Sequence, residues 1–161
     1  MERFQELRAV ADRKLHVADH MLTMTYPFIQ DPKILIAVTE NLFLALTNAM
    51  SSLLYYERLF KKIPPFQDNF TSKFNMFKEN CVVRHNISQD YLKLMKDIRD
   101  ILVAHRESPV EFSKKDRFVI CSNDYEMKTI SLDGIKEYVK KTKLFIHLVN
   151  NITTKNESIF K

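Results

Sequence analysis

The sequence contains one glycine, Gly134, in 161 residues, together with five prolines and two cysteines. Glycine adopts the backbone conformations of sharp turns more easily than any other residue, so a chain this poor in glycine has few such turns. We therefore expect a small number of long helices joined by few connections. The prolines mark where those connections fall.

Cysteine is too scarce and too scattered for a disulfide framework or a zinc site. Cys81 and Cys121 both stand in apolar surroundings, and neither belongs to a close-spaced set of cysteines and histidines. We predict two reduced, packed thiols. The first residues are charged throughout and lack the apolar core of a signal peptide, so we expect a cytoplasmic protein that does not engage a membrane.

Length and composition indicate one globular domain over residues 1–161, with a polar tail from about residue 150. Hydrophobic residues make up 45% of the chain and charged residues 28%, and there is no internal repeat or low-complexity run. The net charge of +5, with a pI of about 9.1, modestly favours polyanionic partners such as RNA.

Apolar residues at steps of three and four predict five helices, over about residues 3–24, 31–62, 66–84, 88–108 and 131–150. Asp31 followed by Pro32, and the serines Ser88 and Ser131, are typical helix-starting residues. The segment 26–30, which contains Pro27, is expected to break the first helix. The second helix is long enough to span a membrane, but its polar residues favour a central helix buried by its neighbours.

The one strand signal lies before the last helix. Segments 118–122 and 125–129 flank Asn123 and Asp124, which tolerate the left-handed conformation that a two-residue hairpin turn needs. In that register Phe118 faces Thr129 and Ile120 faces Met127. The predicted fold class is therefore mainly all-α, a bundle of about five helices with a small β-hairpin inserted before the last helix.

Two further patterns have a functional and a structural interpretation. His16 and His20 share a helix face at the spacing of half a metal site, but no third ligand is evident, so surface histidines are the better interpretation and no metal or cofactor is predicted. Aromatic residues recur at helical spacing in the third helix. They fit a packed core better than a base-stacking surface, which needs exposed rings among many basic residues. The stripe consists of Phe66, Phe70, Phe74 and Phe77.

The fourth helix holds the residues that can carry chemistry, Arg99, Asp100 and His105. Histidine is the side chain whose ordinary pKa allows proton transfer near neutrality, as RNA cleavage through its own 2′-hydroxyl requires. A guanidinium can stabilise the negative charge that gathers on the reacting phosphate. In this interpretation His105 is the general base or acid, Arg99 binds the phosphate, and Asp100 orients one of them.

The spacing of Arg99 and His105, with a polar residue after the arginine, resembles the Arg-x(4–6)-His motif of the HEPN family (higher eukaryotes and prokaryotes nucleotide-binding). The order of helices is similar over most of the chain, with the hairpin as an insertion. The resemblance implies a metal-independent endoribonuclease that acts on RNA at the cleft of a homodimer. The alternative is a non-catalytic relative that binds nucleotides or RNA, or a helical protein-interaction module.

Helix geometry sets a condition on this interpretation. Six residues at ~100° each put Arg99 and His105 about 120° apart, whereas Arg106 shares the face of Arg99. The two groups therefore meet only if the last turn unwinds or a second copy supplies the matching group. A two-fold dimer would also place two copies of Lys93, Lys96 and Arg106 around one RNA- or phosphate-binding groove.

Overall fold

The computed structural model describes residues 1–155, which form five helical bodies and one small sheet. The helices are α1 (Arg3–His20), α2 (Tyr26–Ile29), α3 (Ile34–Leu59), α4 (Phe70–Met76), α5 (Val82–Arg84), α6 (Gln89–Glu107) and α7 (Leu132–Thr154). The strands are β1 (Val110–Lys114), β2 (Arg117–Cys121) and β3 (Met127–Ser131). Single π-helical turns join α1 to α2 and α4 to α5. The mainly α-helical class, with a small sheet before the last helix, is confirmed.

Helix α3 is the centre of the bundle and packs against α1, α6 and α7. Leu42, Leu46 and Leu53 are fully buried, as expected for a central helix. This helix is also long and apolar enough to cross a membrane, and 56% of its most apolar window is buried inside the protein. The hydrophobic effect of this burial is the main stabilising contribution to the bundle.

The predicted caps at Ser88 and Ser131 are confirmed by their hydrogen bonds, whereas the predicted cap at Asp31 is wrong. Helix α3 begins at Ile34, so Asp31 and Pro32 lie in the turn before it, where Asp31 Oδ1 accepts from the backbone N–H of Lys33 at 3.0 Å. Ser88 Oγ accepts from the N–H of Asp90 at 3.2 Å. Ser131 Oγ accepts from the N–H of Gly134 at 3.0 Å. A β-carbon on Gly134 would lie 3.0 Å from the same Ser131 oxygen, so the single glycine allows a close cap at the start of α7.

The predicted break at residues 26–30 is wrong, because the first helix continues to Ile29. A π-helical turn over Met21–Thr25 replaces the usual hydrogen-bonding pattern just before Pro27, which has no N–H to donate. The helix ends at Gln30, in the left-handed conformation with φ of 58°. The proline therefore lies inside the helical body, and the chain reverses three residues later.

The sheet has a third strand that the sequence analysis missed, and its hairpin register differs from the prediction. Strand β1 pairs antiparallel with β2, which pairs with β3. Tyr125 adopts a φ of 62° and lengthens the turn by one residue. Phe118 therefore faces Ile130 in place of Thr129, and Ile120 faces Lys128 in place of Met127. This register buries Ile130 beside Phe118 and Ile120.

The last helix extends beyond the predicted end at residue 150 and reaches Thr154. Ile152 and Thr153 in its final turn are buried against the bundle, which explains why the helix does not stop earlier. The rest of the predicted polar tail, residues 156–161, lies outside the described residues.

Candidate functional site

Helix α6 carries the predicted motif and packs against α3, α7 and strand β2. Leu94, Met95 and Ile98 are buried and fix the orientation of the helix on the core. The helix is regular from Gln89 through Glu107, so the turn that holds His105 is not unwound. The side chains of the motif therefore keep the angular spacing of an ideal α-helix.

His105 lies at the sheet end of α6 and is half-buried, with 35% of its side chain exposed. Its Nδ1 lies 2.8 Å from Oε2 of Glu111 in β1, and its ring meets Phe118 edge-on with centroids 6.4 Å apart. Within residues 1–155 no protein group hydrogen-bonds Nε2. In a neutral imidazole held this way, Nδ1–H donates to the carboxylate and Nε2 keeps a lone pair that can accept a proton.

Glu111 reaches His105 because the chain reverses directly after α6. Ser108 Oγ lies 2.7 Å from the carbonyl oxygen of Cys121 and fastens this reversal to β2. At the far end of β1, the hydroxyl of Tyr26 donates to Asp116 Oδ1 at 2.6 Å and ties the β1–β2 turn to the first helical body. Burial, and then this hydrogen bond, raise the pKa of Tyr26 to about 12. The carboxylate beside His105 is therefore held by contacts at both ends of its strand.

Arg99 and His105 contact different parts of the protein. The guanidinium carbon of Arg99 lies 5.0 Å from the centre of the Phe70 ring in α4. One turn earlier on α6, Lys96 Nζ lies 5.5 Å from the centre of the Phe74 ring. Both cations are on the solvent side of α6, at its contact with α4. The predicted aromatic stripe thus packs partly into the core and partly beneath these cations.

A shallow groove between α4 and α6 gathers most of the predicted phosphate-binding residues. Lys96, Lys93 and Asp100 line it, together with Lys78 from the π-helical turn after α4. Lys93 Nζ lies 2.9 Å from Asp97 Oδ2, and this ion pair raises the pKa of the Lys93 ammonium group. The groove combines several cations with two carboxylates, an arrangement that can bind an anion beside the helix.

The predicted site residues do not converge in one copy of the chain. Arg99 and His105 are about 120° apart around α6 and ~9 Å apart along its axis. Asp100 forms no ion pair or hydrogen bond with either of them in the part of the chain that the structure describes, and the carboxylate on His105 is that of Glu111. Arg106 is exposed on the last turn of the helix. A second copy is therefore the remaining way to bring Arg99 and His105 to one phosphate.

A second histidine–glutamate pair lies at the C-terminal end of α3. The carboxylate of Glu57 is completely buried, and its Oε1 is 2.5 Å from Nε2 of His85. Its Oε2 lies 2.9 Å from Arg84 Nη1 but is not aligned for a hydrogen bond. Arg84 also donates to the backbone carbonyl of Lys62. These contacts join the end of α3 to the end of α5.

The thiol of Cys81 lies beside this buried pair but is not suited to nucleophilic chemistry. Cys81 is fully buried, and burial followed by the nearby negative charge of Glu57 raises its pKa to about 12. A reactive cysteine needs a lowered pKa and access to solvent. The Glu57–His85 pair is therefore a structural link between helices, without an accessible nucleophile.

The described residues contain no cluster of side chains that could hold a metal ion. His16 and His20 are both exposed on α1, and within residues 1–155 no three or more histidine, cysteine, aspartate or glutamate side chains gather in a possible metal site. The interpretation of His16 and His20 as surface residues is therefore supported by their environment.

Comparison with known proteins found no match: no family model, curated protein or solved structure matches the chain. Glu111 and Glu57, the two carboxylates that hold histidines, were both missed from sequence. The available signal was weak: Glu111 alternates with Val110 and Phe112 in a strand pattern, and Glu57 is an isolated acid late in the most apolar helix.

Proposed function

We propose that this chain is an endoribonuclease of the HEPN type that cleaves RNA with protein side chains, in a cleft between two copies. The observation that supports the proposal most is the environment of His105. One of its ring nitrogens is held by the carboxylate of Glu111, while the other has no protein partner among residues 1–155 and the ring is partly exposed. General acid–base catalysis needs a histidine that is oriented by a neighbour and open to substrate.

The proposed reaction is transfer of the RNA phosphate to its own 2′-oxygen. Nε2 of His105 accepts the proton of the 2′-hydroxyl, and the 2′-oxygen attacks the adjacent phosphorus. The bond from phosphorus to the 5′-oxygen breaks, that oxygen takes a proton from solvent water, and the protonated His105 returns its proton to the resulting hydroxide. The products are a 2′,3′-cyclic phosphate and a 5′-hydroxyl, so atoms and charges balance without a further reactant.

Arg99 has the role of stabilising the charge on the reacting phosphate in this proposal. Its guanidinium is exposed and already positioned over Phe70, so little side-chain freedom is lost when it binds an anion. The second copy has to place its Arg99 next to the His105 of the first. Lys93, Lys96 and Arg106 would bind the flanking phosphates. Asp100 is assigned the orientation of Arg99, since Glu111 holds the histidine.

A non-catalytic nucleotide- or RNA-binding module is the alternative. The observation that favours it is the separation of Arg99 from His105 in one copy, with each group in contact with a different neighbour. In that case His105 and Glu111 fasten the sheet to α6, and the basic groove alone contacts the ligand.

The two functions differ in the effect of losing the imidazole. The purified chain is incubated with mixed RNA in the presence of EDTA, alongside His105→Ala and the control His16→Ala, which removes an exposed histidine of α1. We expect cleavage that survives chelation, is retained in the control and falls at least about a hundredfold in His105→Ala. Absence of cleavage at any protein excess would leave the binding alternative.

Mixing two inactive variants tests whether the site is shared between copies. In a two-fold dimer that pairs Arg99 of one chain with His105 of the other, a hybrid of Arg99→Ala and His105→Ala chains retains one intact site. Co-refolding the two variants should therefore restore part of the activity, while each variant alone stays inactive. Failure of the hybrid to cleave, with dimer formation verified by light scattering, would contradict the shared cleft.

A further inference from the structure

The surface that runs from the end of α3 across α4 to α6 consists of adjoining grooves. The first, between the start of α1 and the end of α3, is lined by Arg58 and Arg3. The second shares Arg3 and extends to Phe70, and the third shares Phe70 and extends to Arg99 and Lys96. The fourth is the groove between α4 and α6, which shares Lys96. Because each groove shares residues with the next, they form one continuous depression.

Cations lie over aromatic rings along the length of this depression. Their charged groups are 5.8 Å, 5.8 Å, 5.0 Å and 5.5 Å from the ring centres. The pairs are Arg3 with Tyr55, Arg58 with Phe66, Arg99 with Phe70 and Lys96 with Phe74. A guanidinium held over a ring is already ordered and keeps N–H donors at its edge for an anion. The side chains are thus arranged for phosphate contacts before any ligand arrives.

Charge is concentrated in the same place. Eight basic and four acidic side chains line the four grooves, while the whole chain carries a net charge of +5. Two of the acids are already neutralised by ion pairs, Asp68 with Lys73 and Asp97 with Lys93. Most of the excess positive charge of the molecule therefore follows one surface path, which attracts a polyanion more strongly than evenly distributed charge does.

We infer that this depression, here called the cationic track, binds the sugar–phosphate backbone of a single-stranded RNA several nucleotides long. The inference rests on the proposed function only in that Arg99 belongs to both. The track runs from the start of α1 and the end of α3 to α6, and its cations lie beside aromatic rings, a combination that folds which bind a single strand use. Five of its cations are lysines, a residue type that is depleted from protein–protein interfaces, so an acidic protein is the weaker candidate.

Binding is measured apart from cleavage by using RNA that cannot react. A fluorescently labelled oligouridine of about 12 nucleotides, with 2′-O-methyl groups, lies within the site sizes of single-strand-binding folds and has no 2′-hydroxyl to attack. Its dissociation constant is determined by anisotropy at several salt concentrations for Arg58→Glu, Lys78→Glu and the control Arg13→Glu. Arg58 and Lys78 lie at opposite ends of the track, and Arg13 is an exposed residue of α1 outside it.

We expect each track variant to weaken binding about tenfold and to reduce the slope of log K against log salt by about 0.7, as loss of one phosphate contact implies for a single strand. The control has the same change in net charge and should weaken binding less than about twofold. Circular dichroism verifies that each variant is folded. Two variants at separate ends keep the test valid if one of them fails to fold.

Several results would overturn the cationic track. The first is that the unmodified chain does not bind the oligonucleotide. The second is that Arg13→Glu weakens binding as much as the track variants do. The third is that polyglutamate displaces the RNA at equal charge concentration, which would indicate an acidic protein partner. Failure of the ribonuclease proposal looks different: the oligonucleotide binds with the expected dependence on Arg58 and Lys78, but ordinary RNA is not cleaved. If ordinary RNA is cleaved but neither track variant weakens binding of the oligonucleotide, the cationic track is wrong and the ribonuclease proposal stands.

Discussion

Two histidine–glutamate pairs in this molecule have the same chemistry and different surroundings. At the end of α3 the Glu57 side chain is 0% exposed and holds both His85 and Arg84. At the end of α6 the Glu111 side chain is 20% exposed and holds His105 alone, whose second ring nitrogen has no protein partner in the described part of the chain. Solvent access, and not residue type, therefore separates the structural pair from the candidate catalytic one.

The physical reason lies in the cost of removing a charge from water. A fully buried carboxylate is stable only if cationic or hydrogen-bonding partners replace its hydration, so Glu57 depends on both of its partners. A carboxylate at the surface keeps part of its hydration and can lose its partner at little cost. Glu111 is therefore free to orient His105 without being essential for folding.

The largest difference between the pairs should appear in stability. Glu57→Ala removes a buried carboxylate and leaves Arg84 and His85 without their partner, so the free energy of unfolding should fall by about 3 kcal/mol. The matched variant Glu111→Ala should lose less than about 1 kcal/mol. Urea unfolding of both variants measures this difference. Equal losses would show that the two pairs play the same structural role.

The corresponding histidine variants separate activity from folding. In the proposed ribonuclease, His105→Ala should lower the cleavage rate by about a hundredfold and leave the unfolding midpoint nearly unchanged. His85→Ala should do the reverse, with a normal rate and a stability loss of about 1–2 kcal/mol. Both are measured on the same preparations. A rate loss in His85→Ala with a fully folded protein would contradict the assignment of roles.

Removing Glu111 tests orientation of the imidazole directly. In the unmodified chain the neutral ring should carry its proton on Nδ1, and in Glu111→Ala the proton should move to Nε2, because the carboxylate no longer accepts it. Nitrogen-15 chemical shifts of the ring distinguish the two forms independently of any activity. The cleavage rate of the proposed enzyme should fall about tenfold in the same variant. An unchanged tautomer would remove the role given to Glu111.

The smallest effect concerns the contact that anchors the sheet beside His105. Tyr26→Phe removes the hydrogen bond to Asp116 and should lower the free energy of unfolding by about 1 kcal/mol near neutral pH. It should disturb the NMR signals of the His105 ring and leave those of His85 unchanged. Disturbance of both rings would show that the sheet and the far end of α3 are coupled.

The same tyrosine predicts how stability depends on alkaline pH. The pKa of Tyr26 is about 12 in the folded chain against its ordinary value of 10.0, so above pH 10 the unfolded state releases the proton first. This contribution to stability is complete below pH 10 and is lost as the pH rises to about 12. Comparing the alkaline unfolding of the unmodified chain with that of Tyr26→Phe isolates it, since the variant lacks this dependence.

Features that depend on residues close together in the chain could be predicted from the sequence. The apolar spacing of α3 and α6, the caps at Ser88 and Ser131, and the late position of the sheet were all predictable, because each depends on residues within a few positions of one another. The motif residues Arg99 and His105 were also placed correctly on one regular helix. The angle of about 120° between them around the helix followed from helix geometry alone.

Contacts between residues that are far apart in the chain became visible only in the folded protein. Glu57 meets His85 across 28 positions, and Tyr26 meets Asp116 across 90, distances at which spacing in the sequence carries no information. Glu111 is only six residues from His105, but their contact depends on a chain reversal and a strand that the pattern did not reveal. A helix is stabilised by interactions between residues that are close in the sequence. Which of the two histidine–glutamate pairs stays exposed to solvent depends instead on how the whole chain packs around its core.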